Sequence, residues 1–120
     1  MDKKTGLTLA VVAAGAYYLS QNGKPTFYDM QGRPITSAVC GTSATFNVPG
    51  YKRVWMSQLK DKVLNFDGPF DLPMPAYIFS CSNDVGAYDI AVYEIDANDQ
   101  KGNLIGQTTF VVYPQDYVAG

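Results

Sequence analysis

The segment Thr42-Ser-Ala-Thr-Phe-Asn-Val48 alternates apolar and polar residues along its whole length. In an extended chain Ala44, Phe46 and Val48 point to one face, and the polar residues between them point to the other. This period of two is typical of a β-strand with one buried face, and the Pro49-Gly50 pair that follows predicts a turn. The segment therefore predicts one strand of an antiparallel sheet.

Segments of similar character lie on both sides of this strand and are separated by turns rich in glycine, proline and aspartate. The predicted strands are Thr26–Met30, Ile35–Val39, Lys52–Leu59, Val63–Phe66, Ala76–Ser82, Ala87–Ile95 and Leu104–Tyr113. Asp67–Pro75 contains three prolines, which lack the amide hydrogen of a sheet ladder, so it predicts a loop or an edge crossing. About seven strands at this spacing predict a mainly β chain folded as a β-sandwich.

The heptapeptide Asp84-Val-Gly86-Ala-Tyr88-Asp-Ile90 resembles the Asp-x-Gly-x-Tyr-x-Cys signature of immunoglobulin-like domains, with Ile90 at the cysteine position. Trp55 lies on the strand where that family places its core tryptophan, and Phe46 takes the position of the other cysteine. The resemblance covers roughly residues 35–114. It implies an immunoglobulin-like antiparallel sandwich in which the Tyr88 hydroxyl closes the corner before the following strand.

The two cysteines are Cys40 and Cys81. In the strand order that the resemblance implies, they lie at the same edge of two neighbouring antiparallel strands, so a disulfide between them is expected. Such a bond would indicate an oxidising compartment. The alternative is a pair of buried, reduced thiols.

The N-terminal residues 1–22 predict a hydrophobic helix, because Lys3 and Lys4 precede an uncharged, mostly apolar run that ends at Ser20. The run is short for a membrane span, so it predicts either a membrane anchor or a helix that packs in an assembly. The residues expected at the membrane interfaces are Lys3, Lys4, Tyr17 and Tyr18. The small residues expected to form a helix-packing face are Gly6, Ala10 and Ala14.

Two other interpretations of this segment stay open. Ala14-Gly15-Ala16 resembles the cleavage site of a secretory signal peptide. Lys3-Lys4-Thr5-Gly6 before an apolar helix and a β-domain resembles the start of pilin and archaellin subunits, which bundle their helices into a filament core. Val11 stands where that family has a glutamate.

The chain thus divides into the helix of residues 1–22, a linker or hairpin at residues 23–34, and the sandwich at residues 35–120. One loop is expected to contact a partner because prolines stiffen an apolar surface there. Its residues are Phe70, Leu72, Pro73, Met74, Pro75 and Tyr77. The same loop would alternatively fold over the open end of the sandwich.

The composition argues against catalysis. The chain has no histidine and only two cysteines, which removes histidine-based nucleophile pairs and zinc sites that need imidazole. Its net charge of −2 argues against nucleic-acid binding. We therefore expect no catalytic residue, no metal and no cofactor.

The sequence predicts a non-enzymatic structural protein, such as a minor component of a membrane-containing virion. Its expected partners are proteins of the assembly, reached through the helix and the 70–77 loop, and a lipid membrane. The sandwich is expected on the extracytoplasmic side, with the N-terminus inside. The alternatives are a pilin-like filament subunit and a secreted or envelope binding module.

Overall fold

A computed structural model describes residues 23–116 as nine β-strands and the turns between them. The strands are β1 (Thr26–Tyr28), β2 (Pro34–Ile35), β3 (Ser37–Val39), β4 (Ser43–Asn47), β5 (Arg53–Lys60), β6 (Val63–Asp71), β7 (Tyr77–Ile78), β8 (Gly86–Ile95) and β9 (Lys101–Tyr113). The predicted N-terminal helix, with its packing face and interface residues, lies outside the described residues. Within residues 23–116 no helix is long and apolar enough to cross a membrane.

The strands form two sheets. The four-stranded sheet has the order β2-β1-β4-β7, and the five-stranded sheet has the order β3-β9-β8-β5-β6. All neighbours are antiparallel except β3 and β9, which are parallel. The prediction of a mainly β, sandwich-like fold is confirmed.

The core lies between the two sheets, where the alternating residues of each strand face inward. On β4 the alternation expected from the sequence buries Ala44 and Phe46, and Val48 follows just beyond the strand. Phe27 pairs with Phe46 in register and stacks on Phe110 of the opposite sheet, with 4.0 Å between ring centroids. These rings join the two sheets through apolar contact alone, since no polar residue among those described is buried.

The predicted strand Ile35–Val39 is in fact divided between the two sheets. Ile35 pairs with Phe27 in the four-stranded sheet, whereas Ser37 pairs with Val111 in the five-stranded sheet. The chain therefore crosses the sandwich at Thr36 and closes one side of it.

The segment assigned to a linker or hairpin, residues 23–34, contributes to the sandwich itself. It contains β1, whose Phe27 is part of the core. The chain before β1 also packs closely on β9, because a Cβ on Gly106 would lie 2.7 Å from the Gly23 carbonyl oxygen and 2.9 Å from Pro25. The compact unit thus begins ahead of residue 35.

The proline-rich segment, predicted as a loop or an edge crossing, begins as part of an edge strand. β6 extends through Gly68 and Pro69 to Asp71, and Pro69 pairs with Trp55. Since β6 is the last strand of its sheet, only one side of its backbone takes part in the ladder, and proline is tolerated there. The strand predicted at Ala76–Ser82 is shorter, and only Tyr77 and Ile78 pair with β4.

The expected disulfide joins Cys40 and Cys81, with 5.0 Å between their Cα atoms. Cys40 precedes β4 and Cys81 follows β7, and these two strands are antiparallel neighbours. The bond therefore links the sheet at the position that the proposed strand order implied.

Trp55 is not the core tryptophan that the resemblance implied. Its neighbours Val54 and Met56 are buried, so the period of two places Trp55 on the outer face of the five-stranded sheet. There its indole Nε1 donates a hydrogen bond to Asp67 Oδ1 at 2.9 Å.

Candidate binding site on the open side of the sandwich

The side of the sandwich opposite the Thr36 crossing is only partly closed, by residues 72–76, which join β6 to β7. β6 and β7 are the terminal strands of their sheets on this side, which we call the open side. Between them lies a cavity of about 320 Å³, which we call the aromatic cleft. The residues that line it are Phe27, Phe46, Met56, Gln58, Asn65, Phe66, Phe70, Met74, Tyr77, Phe79, Asp84, Tyr88 and Phe110.

Aromatic rings form most of the wall of the cleft. Phe70 makes edge-to-face contacts with Phe46 and with Phe66, each with 6.1 Å between centroids. Tyr77 contacts Phe79 in the same way at 5.7 Å. Since these rings already interact with one another, the wall has a defined shape before anything binds to it.

One end of the cleft is polar and is organised by Asp84. The Asp84 Oδ2 accepts hydrogen bonds from the Tyr77 hydroxyl and from the Ser80 amide, both at 2.7 Å. The Tyr88 hydroxyl donates to the Asp84 carbonyl oxygen at 2.6 Å. These bonds fix the turn between β7 and β8 against the start of β8.

Both tyrosines at this end keep their protons to high pH. The hydrogen bond to the Asp84 carboxylate raises the pKa of Tyr77 above its ordinary value. Burial, and then the nearby Asp84 charge, raises the pKa of Tyr88 to about 12. The polar end therefore presents neutral phenols and one carboxylate at neutral pH.

A second polar pair lies on the five-stranded sheet. The Gln58 side-chain amide donates a hydrogen bond to Asn65 Oδ1. Gln58 Oε1 and Asn65 Nδ2 have no hydrogen-bond partner among the residues that the structure describes. Both groups belong to residues that line the cleft, so they offer one acceptor and one donor to a bound molecule.

The two edge strands beside the cleft carry most of the exposed large hydrophobic residues. Of seven such residues in the described part of the chain, five lie on β6 and β7. They are Val63, Leu64, Phe66, Tyr77 and Ile78, and Val63 and Ile78 are the most exposed at 68% and 65%. Edge strands of this kind commonly pair with another chain.

The predicted contact loop is divided by the structure into an inner and an outer part. Phe70, Leu72 and Met74 pack against the core, and the Met74 amide donates to the Phe46 carbonyl oxygen at 2.8 Å. Pro73, Pro75 and Tyr77 are exposed. The segment thus folds over the sandwich with one set of side chains and presents the other to solvent.

The structure brings several residues singled out in the sequence to the cleft, namely Phe46, Phe70, Met74, Tyr77, Asp84 and Tyr88. Trp55, Leu72, Pro73, Pro75, Gly86 and Ile90 do not line it. Sequence reasoning missed Gln58, Asn65, Phe66, Val63 and Leu64. The sequence signal for three of them was the apolar run at the start of β6. Its residues are exposed because β6 is the terminal strand of its sheet.

Two other acidic residues make contacts outside the cleft. Asp67 accepts a hydrogen bond from Trp55, and this bond is the main reason that its pKa lies below the ordinary value. Lys62 pairs with Asp89 at 3.0 Å on the surface. Among residues 23–116 no three histidine, cysteine, aspartate or glutamate side chains are grouped so that they could hold a metal ion.

Comparisons with known proteins add no relative. No protein-family model matches the chain, and neither a curated protein nor a solved structure matches it.

Proposed function

We propose that this protein is a non-enzymatic structural component of a larger assembly, and that its sandwich contacts a neighbouring protein through the open side. The observation that carries this proposal is that most exposed apolar residues lie on β6 and β7, the terminal strands of the two sheets on either side of the aromatic cleft. Exposed apolar residues concentrated at one side of a small domain mark a surface that a partner covers.

The chemistry of the open side favours a protein partner. An edge strand offers unpaired backbone amides and carbonyls, and apolar side chains beside them bind the faces of an added strand. Burial of one Val or Ile side chain stabilises a complex by about 1.5–3 kcal/mol. Several such residues on one surface would therefore support stable assembly.

For the fold we propose the immunoglobulin-like class. Three observations support it: the Tyr88 hydroxyl bonds to the Asp84 carbonyl before β8, Phe46 and Ile90 are both buried, and β4 pairs with β7. The outward position of Trp55 is a departure from that class.

For location we propose that residues 1–22 hold the chain in a membrane or a helical layer, with the sandwich on the extracytoplasmic side. The Cys40–Cys81 disulfide supports an oxidising environment for the sandwich. A minor structural protein of a membrane-containing virion fits these features together.

The test compares two double variants of the full-length chain in its native source. Val63→Lys with Ile78→Lys places two charges on the open side. Met30→Lys with Leu104→Lys makes the same change in charge at exposed hydrophobic residues outside β6 and β7. We expect the first variant to be retained in the particle or envelope fraction at least about tenfold less than the second, since buried unpaired charge is costly.

Equal thermal unfolding midpoints would establish that both variants fold. Equal retention of the two folded variants would refute the proposed role of the open side. The intact mass of the native protein separates the alternatives: loss of residues 1–6 would favour a pilin-like filament subunit, and loss up to about Ala16 would favour a secreted binding module.

A further inference from the structure

We propose that the aromatic cleft is a binding site for an uncharged, indole-sized aromatic group that carries one hydrogen-bond donor. This inference goes beyond the assembly role, because the cleft has a volume, walls and polar groups of its own. It does not depend on which protein covers the edges of β6 and β7.

The size of the cleft sets the size of the ligand. An engineered apolar cavity of about 150 Å³ takes up benzene. The cleft, at about 320 Å³, has roughly twice that volume and lies at the lower end of the range for ligand pockets. Two fused rings fill such a space better than a single ring.

The walls select an aromatic ligand. Rings from both sheets, among them Phe46, Phe70 and Phe110, face the cleft, and Met56 and Met74 add thioethers. A flat ring bound here would gain edge-to-face contacts with phenylalanines and sulfur contacts with methionines. These contacts are available to an aromatic group and only in part to an alkyl chain.

The polar groups select a neutral ligand with a donor. Gln58 Oε1 accepts no hydrogen bond from the described residues and is open to solvent, so an indole N–H would take the place of water there. The negative charge of the Asp84 carboxylate at the same cleft disfavours anionic ligands. Because this carboxylate already accepts two hydrogen bonds, it does not require a cationic ligand as a partner.

The walls resist collapse onto the empty space. The Cys40–Cys81 disulfide links the chain before β4 to the chain after β7. Two backbone hydrogen bonds hold Phe79: its amide donates to the Thr42 carbonyl oxygen at 3.1 Å, and its carbonyl oxygen accepts from the Gly41 amide at 2.7 Å. Tyr88 fixes the far end through Asp84. The site is thus largely formed before a ligand arrives, which lowers the entropic cost of binding.

The experiment uses the full-length chain labelled with ¹³C at its methionine methyl groups and titrated with indole. We expect saturable shifts of the Met56 and Met74 methyls and none at Met30, which is 59% exposed and does not line the cleft. The probe 1-methylindole has nearly the same shape but no donor. It should bind about tenfold more weakly, as expected for one lost hydrogen bond.

Two variants test the role of Gln58. In Gln58→Met the preference for indole over 1-methylindole should disappear, while the matched change Gln107→Met on the outer face should leave it intact. Absence of saturable shifts at Met56 and Met74, or an unchanged preference in Gln58→Met, would overturn the proposal. Neither result would bear on the assembly role, whose test uses the edge strands.

An indole-sized aromatic group with one hydrogen-bond donor can come from two sources: a free aromatic compound, or a tryptophan side chain of a partner protein. N-acetyltryptophanamide distinguishes them: tighter binding than indole assigns the site to a partner's side chain, and weaker binding assigns it to a free compound.

Discussion

The hydroxyl of Tyr88 helps to hold the turn before β8, because it donates a hydrogen bond to the Asp84 carbonyl oxygen four residues earlier at 2.6 Å. Replacement by phenylalanine keeps the ring in place and removes this bond. We expect Tyr88→Phe to lower the free energy of unfolding by about 1 kcal/mol. Urea denaturation at pH 7 measures this, and an unchanged midpoint would mean that the hydroxyl bond does not hold the turn.

The same hydroxyl predicts a dependence on pH. Its pKa in the folded protein is about 12, above the ordinary tyrosine value of 10.0, so the folded state holds the proton more tightly than the unfolded chain. The stability that the neutral phenol contributes is fully present below pH 10 and is lost as the pH rises through 12. Unfolding curves of the wild-type protein and of Tyr88→Phe should therefore converge between these values. A difference that persists unchanged to pH 12 would contradict this assignment.

Trp55 shows how the sequence prediction was correct about the strand but wrong about the face of the sheet, because the side chain points outward and not into the core. The resemblance placed Trp55 on the strand that the structure shows as β5. However, moving one position along a strand takes a side chain to the opposite face of the sheet. Val54 and Met56 occupy the buried face, and the indole instead bonds to Asp67. No property of the sequence Val-Trp-Met distinguishes these two placements, since all three residues are apolar.

This placement leads to a spectroscopic prediction. Trp55 is the one tryptophan of the chain, so its fluorescence reports on the bond to Asp67. The bond lowers the pKa of Asp67, and the stability it contributes is present above the ordinary carboxyl pKa and lost as the pH falls through the lowered value. We expect an acid transition in fluorescence with its midpoint below 3.8. Asp67→Asn should abolish it, whereas Asp71→Asn should not.

At the scale of elements, the disulfide is the strongest constraint on the four-stranded sheet. It joins residues 41 positions apart and holds β7, which pairs with β4 through only two residues. Closure of a loop of this length stabilises by about 4 kcal/mol in the chain-entropy model. We expect Cys40→Ala with Cys81→Ala to lose about this amount in urea denaturation. Reductant should then destabilise the wild-type protein and leave the double variant unaffected, and a loss below about 1 kcal/mol would show that β7 holds without the bond.

The edge strands show where element boundaries escape sequence reasoning. Three prolines predicted a loop or an edge crossing after Phe66, and β6 continues to Asp71 as an edge strand, which pairs on one side only. Conversely, the apolar run before Ser82 predicted a full strand, and β7 ends after Ile78. Edge positions depend on which strands come together in space, and local composition does not encode that.

For the whole molecule, the spacing of about seven strands predicted a sandwich, and the strand order that the resemblance implied led to the expected Cys40–Cys81 pairing. The division of Ile35–Val39 at Thr36 was not predictable, since each half has the composition of an ordinary strand. Part of the cleft was predicted, because Phe70, Met74 and Tyr77 belong to an unusually apolar loop. The residues that face them across the cleft, such as Gln58 and Phe110, are distant in sequence and were not predicted.

The topology also predicts an order of stability across the molecule. β8 pairs with β9 along nearly its whole length and with β5 from Tyr88 to Tyr93, and its inward residues Ile90 and Val92 are buried. β7 pairs on one side through two residues beside an open cleft. Amides in β8 should exchange with solvent only on global unfolding, whereas those of β7 exchange through local opening.

Hydrogen exchange followed by NMR on the full-length chain tests this order. We expect the slowest amides at Ile90 and Val92 and exchange faster by a factor of about 1,000 or more at Tyr77 and Ile78. Protection of β7 equal to that of β8 would contradict the description of the open side, because an edge strand with few contacts reaches that protection only when another chain covers it. In the protein within its assembly, amide protection should rise at β7 and stay unchanged at β8. The difference in protection between the free and the assembled protein would therefore identify the surface that the partner covers.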